Sequence, residues 1–338
     1  MNDGIKRAFS QQALKAFAKD VGRSYWILLK IMVPAVVIVK LLDELGATEF
    51  LAMLLSPLMG VLGLPSEFGL VWAASILTNI YGAMVVFYQL SDGASYSVAQ
   101  ISVMSMLVLV AHALPIEGAV AKALGVRWRV TILLRIVGSY VFALFVHLAM
   151  QFSDLATQPS VVLWSPTPSG DSLTAWLLSQ LEMLIGILVI LASLMAFLRF
   201  LTLIGFDKVL NILLLPLTRL LRVDKEASQV TIVGLMLGLS FGAGLLIDAA
   251  EKGTISSRDM KIVACFLGLC HSLIEDTLLV LLLGAHWVPV LLGRLLFSIV
   301  VMAILVRLLW FDTSTDTSTD TSTDTSTDSG SDAKKTQV

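Results

Sequence analysis

Long apolar runs constrain this chain more than any other feature of its sequence. Each of them reaches about 20 residues or more, the length an α-helix needs to cross a hydrocarbon core about 30 Å thick. They lie at 24–44, 98–123, 129–150, 176–202, 260–283 and 288–309. Only 14% of the 338 residues are charged, whereas an ordinary soluble domain carries about 25%. The sequence therefore predicts an all-α, multi-pass membrane protein.

The chain also matches itself when His112 is placed on His271, a shift of 159 residues. Imidazole, acidic, Trp and Arg positions agree at this one offset, which chance matches among leucines would not produce. The further pairs are Glu117 with Asp276, Trp128 with Trp287, and Arg135 with Arg294. Internal repeats of this kind are typical of secondary transporters. We therefore expect a duplicated half-molecule.

The self-match divides the chain into five parts. Residues 1–23 form a basic, amphipathic segment, 24–150 the first copy, 151–175 a Pro- and Gly-rich linker, 176–310 the second copy and 311–338 a tail. The tail repeats Thr-Ser-Thr-Asp and cannot bury a core, so we expect it to be disordered. Each copy contains a span, a short helix, a Gly-broken apolar segment and two more spans. The short helices are predicted at 47–62 and 206–220, and the Gly-broken segments at 66–90 and 228–249.

The distribution of Lys and Arg predicts that the two copies are inverted relative to each other. Basic residues precede the first span, which places the N-terminus in the cytoplasm, and they recur at 122–129 in a second cytoplasmic loop. In the second copy they occupy the loops that were uncharged in the first. We expect the C-terminus to be cytoplasmic as well. Inversion requires an odd number of crossings per copy, either five or three plus a re-entrant Gly-rich segment. We expect three, with Gly82, Gly242 and Gly244 allowing the breaks.

A histidine and two carboxylates interrupt the apolar run at 270–277, which reads CHSLIEDT. A charged group is costly at the bilayer midplane and usually has a function there. On a continuous helix, His271 and Glu275 would share one face, and Asp276 is the counterpart of Glu117. A pseudo-two-fold axis would bring these groups and His112 together near the midplane, where such transporters bind substrate and coupling ion.

Three roles remain open for these polar groups. They could relay protons, tie helices together by buried ion pairs, or bind a divalent metal. The metal candidates are His112, Glu117, His271 and Glu275. Asn79 and Asp248, in the two Gly-rich segments, are predicted to line the same cavity. The predicted substrate- and ion-binding residues are thus His112, Glu117, His271, Glu275, Asp276, Asn79 and Asp248.

The motifs HALPIEG at 112–118 and HSLIEDT at 271–277, each after a Gly-containing apolar segment, resemble those of the bacterial nucleoside recognition or Gate-domain membrane proteins. The resemblance covers 24–309 as two tandem Gate units. It implies kinship with the membrane domains of ferrous-iron transporters and, more distantly, with concentrative nucleoside transporters. It also implies a site made by re-entrant or broken helices.

We therefore expect a proton- or cation-coupled secondary transporter of a small polar solute, such as a nucleoside-like metabolite, in the bacterial cytoplasmic membrane. The alternatives are a non-transporting scaffold or regulatory Gate protein and a divalent metal transporter. No nucleophile motif occurs, so we expect no enzymatic activity. The expected partners are the lipid bilayer, the solute and the coupling ion, with no cofactor and no nucleic acid; a homo-oligomer is left open.

Overall fold

The structure is a computed structural model that describes residues 10–91, 94–167, 172–206, 209, 212 and 223–308. Most of the short helix predicted at 206–220, and the whole tail predicted at 311–338, lie outside these residues. Within them the regular elements are helices and no β-strand occurs. The helices are α1 Gln11–Glu44, α2 Ala47–Val61, α3 Phe68–Leu77, α4 Ile80–Leu90, α5 Val98–Ala111, α6 Leu114–Ala123, α7 Trp128–Met150, α8 Leu173–Leu203, α9 Lys225–Glu251, α10 Ser257–Leu269, α11 Glu275–Leu282, and α12, which is π-helical over Val288–Gly293 and α-helical over Arg294–Leu308.

Five helical stretches of the described chain are long and apolar enough to cross a membrane, namely α1, α5 with α6, α7, α8 and α12. The predicted span at 260–283 is divided between α10 and α11, which are 13 and 8 residues long. Many large apolar side chains on α1 and α8 are exposed, as expected for helices that face lipid. The prediction of an all-α membrane protein is confirmed at this level.

Helices α1 and α8, the first long helix of each copy, cross antiparallel. The Tyr25 hydroxyl donates a hydrogen bond of 2.8 Å to the carbonyl of Leu184 near the crossing. Towards the start of α1, the Arg199 guanidinium lies 6.0 Å from the ring centroid of Phe17. The hydroxyl of Ser10 caps α1 by accepting from the amide of Ala13. Because α1 begins at Gln11, the residues from there to 23 are helical and continuous with the predicted first span.

Helices α3 and α4 form a hairpin whose two outer ends lie together. The rings of Phe68 and Phe87, near those ends, have centroids 5.9 Å apart. The chain reverses at Thr78 and Asn79, where the Asn79 side chain caps α4 by accepting from the amide of Gly82 at 2.9 Å. Gly82, which was predicted to allow the break, lies in the first turn of α4, where a Cβ atom would collide with the hydroxyl of Thr78 at the reversal. The side-chain cap of Asn79 starts α4.

Helix α9 has a corresponding break at Gly238. The backbone there has φ +83°, which non-glycine residues rarely adopt, and a Cβ atom would collide with the hydroxyl of Ser272. Both ends of α9 lie near the start of α10, where the Asp224 amide donates to the Asp259 carboxylate. The prediction that Gly242 and Gly244 allow this break is wrong, because both lie in helical backbone.

The apolar runs at 98–123 and 260–283 are broken helices. Helix α5 ends at His112, and Ala113 has φ +51° before α6 begins; in the second copy Ser272 has φ +44° between α10 and α11. The prediction that His271 and Glu275 lie on one face of a continuous helix is therefore wrong. Pro115 follows the first break directly and lies in the first turn of α6, where a missing N–H is tolerated.

Candidate binding site

The two helix breaks bring His112 and His271 into contact. His112 directly follows the last residue of α5, and His271 lies two residues after the last residue of α10. The ring centroids are 4.9 Å apart and the two Nε2 atoms 3.1 Å apart. Both residues are at least 95% buried. Two residues that the self-match of the sequence pairs thus meet inside the molecule.

Glu117 joins this contact from the first turn of α6. Its Oε1 atom lies 3.0 Å from Nε2 of His271 and 3.7 Å from Nε2 of His112. Its Oε2 atom is paired with the guanidinium of Arg135, which α7 supplies. Because Glu117 is buried, the arginine is needed to compensate the charge of its carboxylate. The three groups form a compact cluster that we call the His–Glu triad: His112, Glu117 and His271.

Two fully buried arginines stabilise the helix breaks. Nε of Arg135 donates to the carbonyl of Val110 at 2.8 Å, and its Nη2 donates to the carbonyl of His112. These carbonyls stand at the end of α5, where helical partners are missing. In the second copy Nε of Arg294 donates to Leu269 O at 3.3 Å. The sequence predicted no role for either arginine. The available signal was that Arg135 and Arg294, both in apolar runs, are separated by the same 159 residues as His112 and His271.

Two further carboxylates near the triad, those of Glu275 and Asp276, lie in the first turn of α11. Asp276 is paired with Arg294 at 3.4 Å, as Glu117 is with Arg135. Glu275 accepts a hydrogen bond of 3.1 Å from the hydroxyl of Tyr81 in α4. Among the described residues Glu275 forms no ion pair, so it is the carboxylate of this group whose charge lacks a cationic partner.

A cavity of about 680 Å³ reaches this cluster from the side of the α1–α8 crossing where Ser24 and Thr202 lie. Its walls are largely apolar side chains of α1 and α8. Its polar lining includes His112, Glu117, His271, Glu275, Asp276 and Asn79. Six of the seven residues predicted from the sequence therefore surround one cavity, which has the size of a small-molecule site.

Asp248 does not belong to this cavity. Its carboxylate is more than half exposed and forms an ion pair of 2.8 Å with Lys252, one turn further along α9. The prediction that Asp248 lines the site with the histidines is wrong, because it lies ten residues beyond the break at Gly238. Asn79 does line the cavity, but its side-chain oxygen is engaged in capping α4.

A second cavity of about 410 Å³ lies on the other side of the α1–α8 crossing. It is lined by the later part of α1, including Lys40 and Asp43, and by the early part of α8, including Ser179. Gln89 of α4 and Gln180 of α8 are hydrogen-bonded at 3.2 Å in its lining. The two cavities thus flank the crossing, and only the first has the triad in its lining.

Comparison with known proteins gives one relative with extensive similarity. No family model and no solved structure matches the chain. The Bacillus subtilis (strain 168) protein named "Uncharacterized membrane protein YvoD" is 30% identical over 273 residues, which cover 80% of this chain and 86% of the relative. The similarity covers most of both chains. The relative's name describes a membrane protein, which agrees with the apolar helices of this chain. The chain belongs to the family of membrane proteins that includes YvoD of Bacillus subtilis.

Proposed function

We propose that this protein is a secondary transporter of the Gate-domain kind, in which two inverted repeats share a central binding site. The observation that carries the proposal is the contact of His112 with His271 at a cavity that reaches their buried cluster. In transporters built from inverted repeats, substrate and coupling ion bind where the broken helices of the two repeats meet. The HALPIEG and HSLIEDT motifs lie at such breaks.

The contacts support a two-fold relation between the repeats. A residue on a two-fold axis touches its own counterpart, and this occurs twice at the 159-residue offset, for Tyr25 with Leu184 and for His112 with His271. The first long helices, α1 and α8, are antiparallel, which favours an axis in the membrane plane. The hairpins α3–α4 and α9 then serve as re-entrant segments, leaving three crossings in each repeat.

Two cavities on opposite sides of the crossing favour alternating access. The basic N-terminal segment assigns the larger cavity, with Ser24 in its lining, to the cytoplasmic side. The smaller cavity, with Ser179, then faces outward. Rocking of one repeat against the other would close the first and deepen the second until it reaches the triad.

The lining of the larger cavity favours a small solute that has both a polar group and an apolar part. Apolar side chains such as Ile27 and Leu191 line it along α1 and α8, while His271 and Glu275 lie in its buried region. Apolar walls with a few convergent polar groups are typical of small-molecule sites. Glu275, which has no cationic partner among the described residues, is the group that we assign to binding the coupling proton or cation.

Flux through the purified protein tests this function directly. Proteoliposomes would be offered nucleosides, amino acids, and small amines and carboxylates with apolar groups, with and without imposed proton and sodium gradients. We expect gradient-dependent uptake of at least one class by the wild type and its loss in Glu275→Gln. Glu49→Gln, an exposed change on α2, should retain uptake. A flat response across the panel would contradict transport and favour a membrane scaffold.

Labelling of single cysteines tests alternating access without knowledge of the coupling ion. Cys265 and Cys270 are buried and would first be replaced by alanine. Ser24→Cys and Ser179→Cys would then report on the two cavities through a membrane-impermeant maleimide applied to each face. A transported solute should change the two labelling rates in opposite directions. Parallel changes, or none, would argue against alternating access.

A further inference from the structure

The rings of His112 and His271 direct their Nε2 atoms at each other. Nδ1 of His112 lies 3.1 Å from the carbonyl oxygen of Val108, and Nδ1 of His271 lies 2.8 Å from that of Leu267. A carbonyl oxygen can only accept a hydrogen bond, so each Nδ1 carries its ring's proton. In the neutral rings both Nε2 atoms therefore present lone pairs, 3.1 Å apart. Two neutral rings in this state cannot form a hydrogen bond to each other.

Glu117 adds a third electron-pair donor to the same point. Its Oε1 atom lies within 3.7 Å of both Nε2 atoms, and its Oε2 atom is held by Arg135, as in an ionised carboxylate. Three lone pairs thus converge in a buried place, and their mutual repulsion is offset when either a proton or a metal cation lies between them.

The spacing of the three atoms fits a metal ion. The sides of the triangle are 3.0, 3.1 and 3.7 Å, so its corners lie about 1.9 Å from a common centre. Bonds from zinc to histidine nitrogen and carboxylate oxygen are about 2.0–2.2 Å long. An ion slightly out of the plane of the triangle can therefore bind all three atoms without movement of the side chains.

The surroundings of the triad hold these atoms in place. Histidines that bind metals usually donate the other ring N–H to a carbonyl or carboxylate, which fixes the tautomer and the ring orientation. His112 and His271 do so with Val108 and Leu267. The salt bridge to Arg135 orients the carboxylate of Glu117 in the same way. The site is therefore already arranged before a metal binds.

Charge and access also favour a cation. The salt bridges Arg135–Glu117 and Arg294–Asp276 are neutral overall. All members of the triad line the 680 Å³ cavity, which provides a route for entry and room for a further ligand. Glu275, which forms no ion pair within the described part of the chain, adds a further carboxylate to the lining of the same cavity.

We propose that His112, His271 and Glu117 bind one divalent first-row transition-metal ion, with its remaining coordination position facing the cavity. Two imidazoles and one carboxylate suit Zn²⁺, Fe²⁺, Co²⁺ or Mn²⁺, whereas Mg²⁺ and Ca²⁺ prefer all-oxygen sites. A protein with three ligands and an open position keeps its metal accessible to a second molecule. The proposal stands independently of transport, since binding is measured in the purified protein without flux.

The chain offers a matched control because it has four histidines. The full-length protein would be purified through an affinity tag without histidine, stripped with chelator and titrated with Zn²⁺ and with Co²⁺. The metal would be counted by elemental analysis, and the Co²⁺ form followed by its visible absorption. His112→Ala and His271→Ala test the triad. The double variant His147→Ala/His286→Ala removes the other two histidines; monodispersity on size exclusion shows that each variant is folded.

We expect about one Zn²⁺ per chain in the wild type and in the double control variant. Removing a ligand should weaken Zn²⁺ binding by at least about 100-fold. Loss of a residue that only hydrogen-bonds to a ligand weakens metal binding by about 10- to 100-fold, so a larger effect indicates direct coordination. The visible spectrum of Co²⁺ bound to the wild type should show the ligand-field bands of a site with nitrogen and oxygen ligands. This measurement needs only the wild type, so it tests the proposal even if a triad variant fails to fold. Absence of stoichiometric metal from folded wild-type protein would overturn the proposal. The contact between the two Nε2 atoms would then be explained by a proton shared between the rings. Unchanged binding in both triad variants would overturn it as well.

Discussion

The buried salt bridge between Arg135 and Glu117 permits a quantitative prediction about stability. Arg135→Met would remove the compensating charge of Glu117 and leave the carbonyls of Val110 and His112 without their donor. Each unsatisfied buried group costs about 1–3 kcal/mol, and breaking a buried ion pair from one side costs about 3–5 kcal/mol in all. We expect Arg135→Met to lower the free energy of unfolding by about 4 kcal/mol. Glu117→Gln should cost a similar amount because it leaves the guanidinium uncompensated.

The double variant separates charge pairing from simple packing. Arg135→Met/Glu117→Gln leaves no uncompensated charge, so its cost should fall at least about 2 kcal/mol below the sum of the single costs. The free energy of unfolding would be measured by titrating the protein in mixed micelles with sodium dodecyl sulfate. The exposed pair Lys252–Asp248 is the control: a cycle of Lys252→Met and Asp248→Asn should give a coupling energy of about 0.5 kcal/mol or less. Additive costs at the buried pair, within about 0.5 kcal/mol, would refute this reasoning.

Two further predictions concern the hairpin breaks. Gly238→Ala should lower the free energy of unfolding by about 1–3 kcal/mol, because φ is +83° and the new Cβ would meet Ser272. Gly244→Ala lies in helical backbone with nothing within 4 Å of the new Cβ, so it should cost nothing or stabilise by up to about 1 kcal/mol. Equal costs of the two changes in the same micelle titration would contradict this. Asn79→Ala should cost about 1 kcal/mol through loss of the cap on the Gly82 amide, and Asn79→Asp should retain that stability; a destabilised Asp variant with a stable Ala variant would count against the capping role.

The convergence of polar groups could be anticipated because the match at 159 residues involves rare side chains. A buried His or Glu is expensive in an apolar run, so its recurrence in both copies indicated a shared place. The structure puts His112 against His271 and brings Glu275 and Asp276 to the same cavity. Asp248 was indistinguishable from these by sequence, since its ion pair with Lys252 is a local surface contact.

The helix breaks could not be anticipated from local pattern. A run of apolar residues such as 98–123 reads as one helix, because hydrophobicity reports burial in lipid and not the path of the backbone. Whether the helix can end at His112 depends on a donor for its free carbonyls, and that donor is Arg135, which follows Val110 by 25 residues and belongs to another helix. The assignment of His271 and Glu275 to one helical face was wrong for the same reason, because the break between α10 and α11 also depends on contacts with residues far along the chain.

The sequence by itself determined that this chain lies in a membrane and that its two halves carry equivalent residues, since both properties follow from composition and order along the chain. Only the tertiary structure decided where the helices break, which arginines satisfy the freed carbonyls, and that His112 and His271 face each other through their Nε2 atoms. These features depend on groups far apart in sequence. In a medium without water, each buried polar atom must find its partner within the protein, and only the folded chain determines which partner that is.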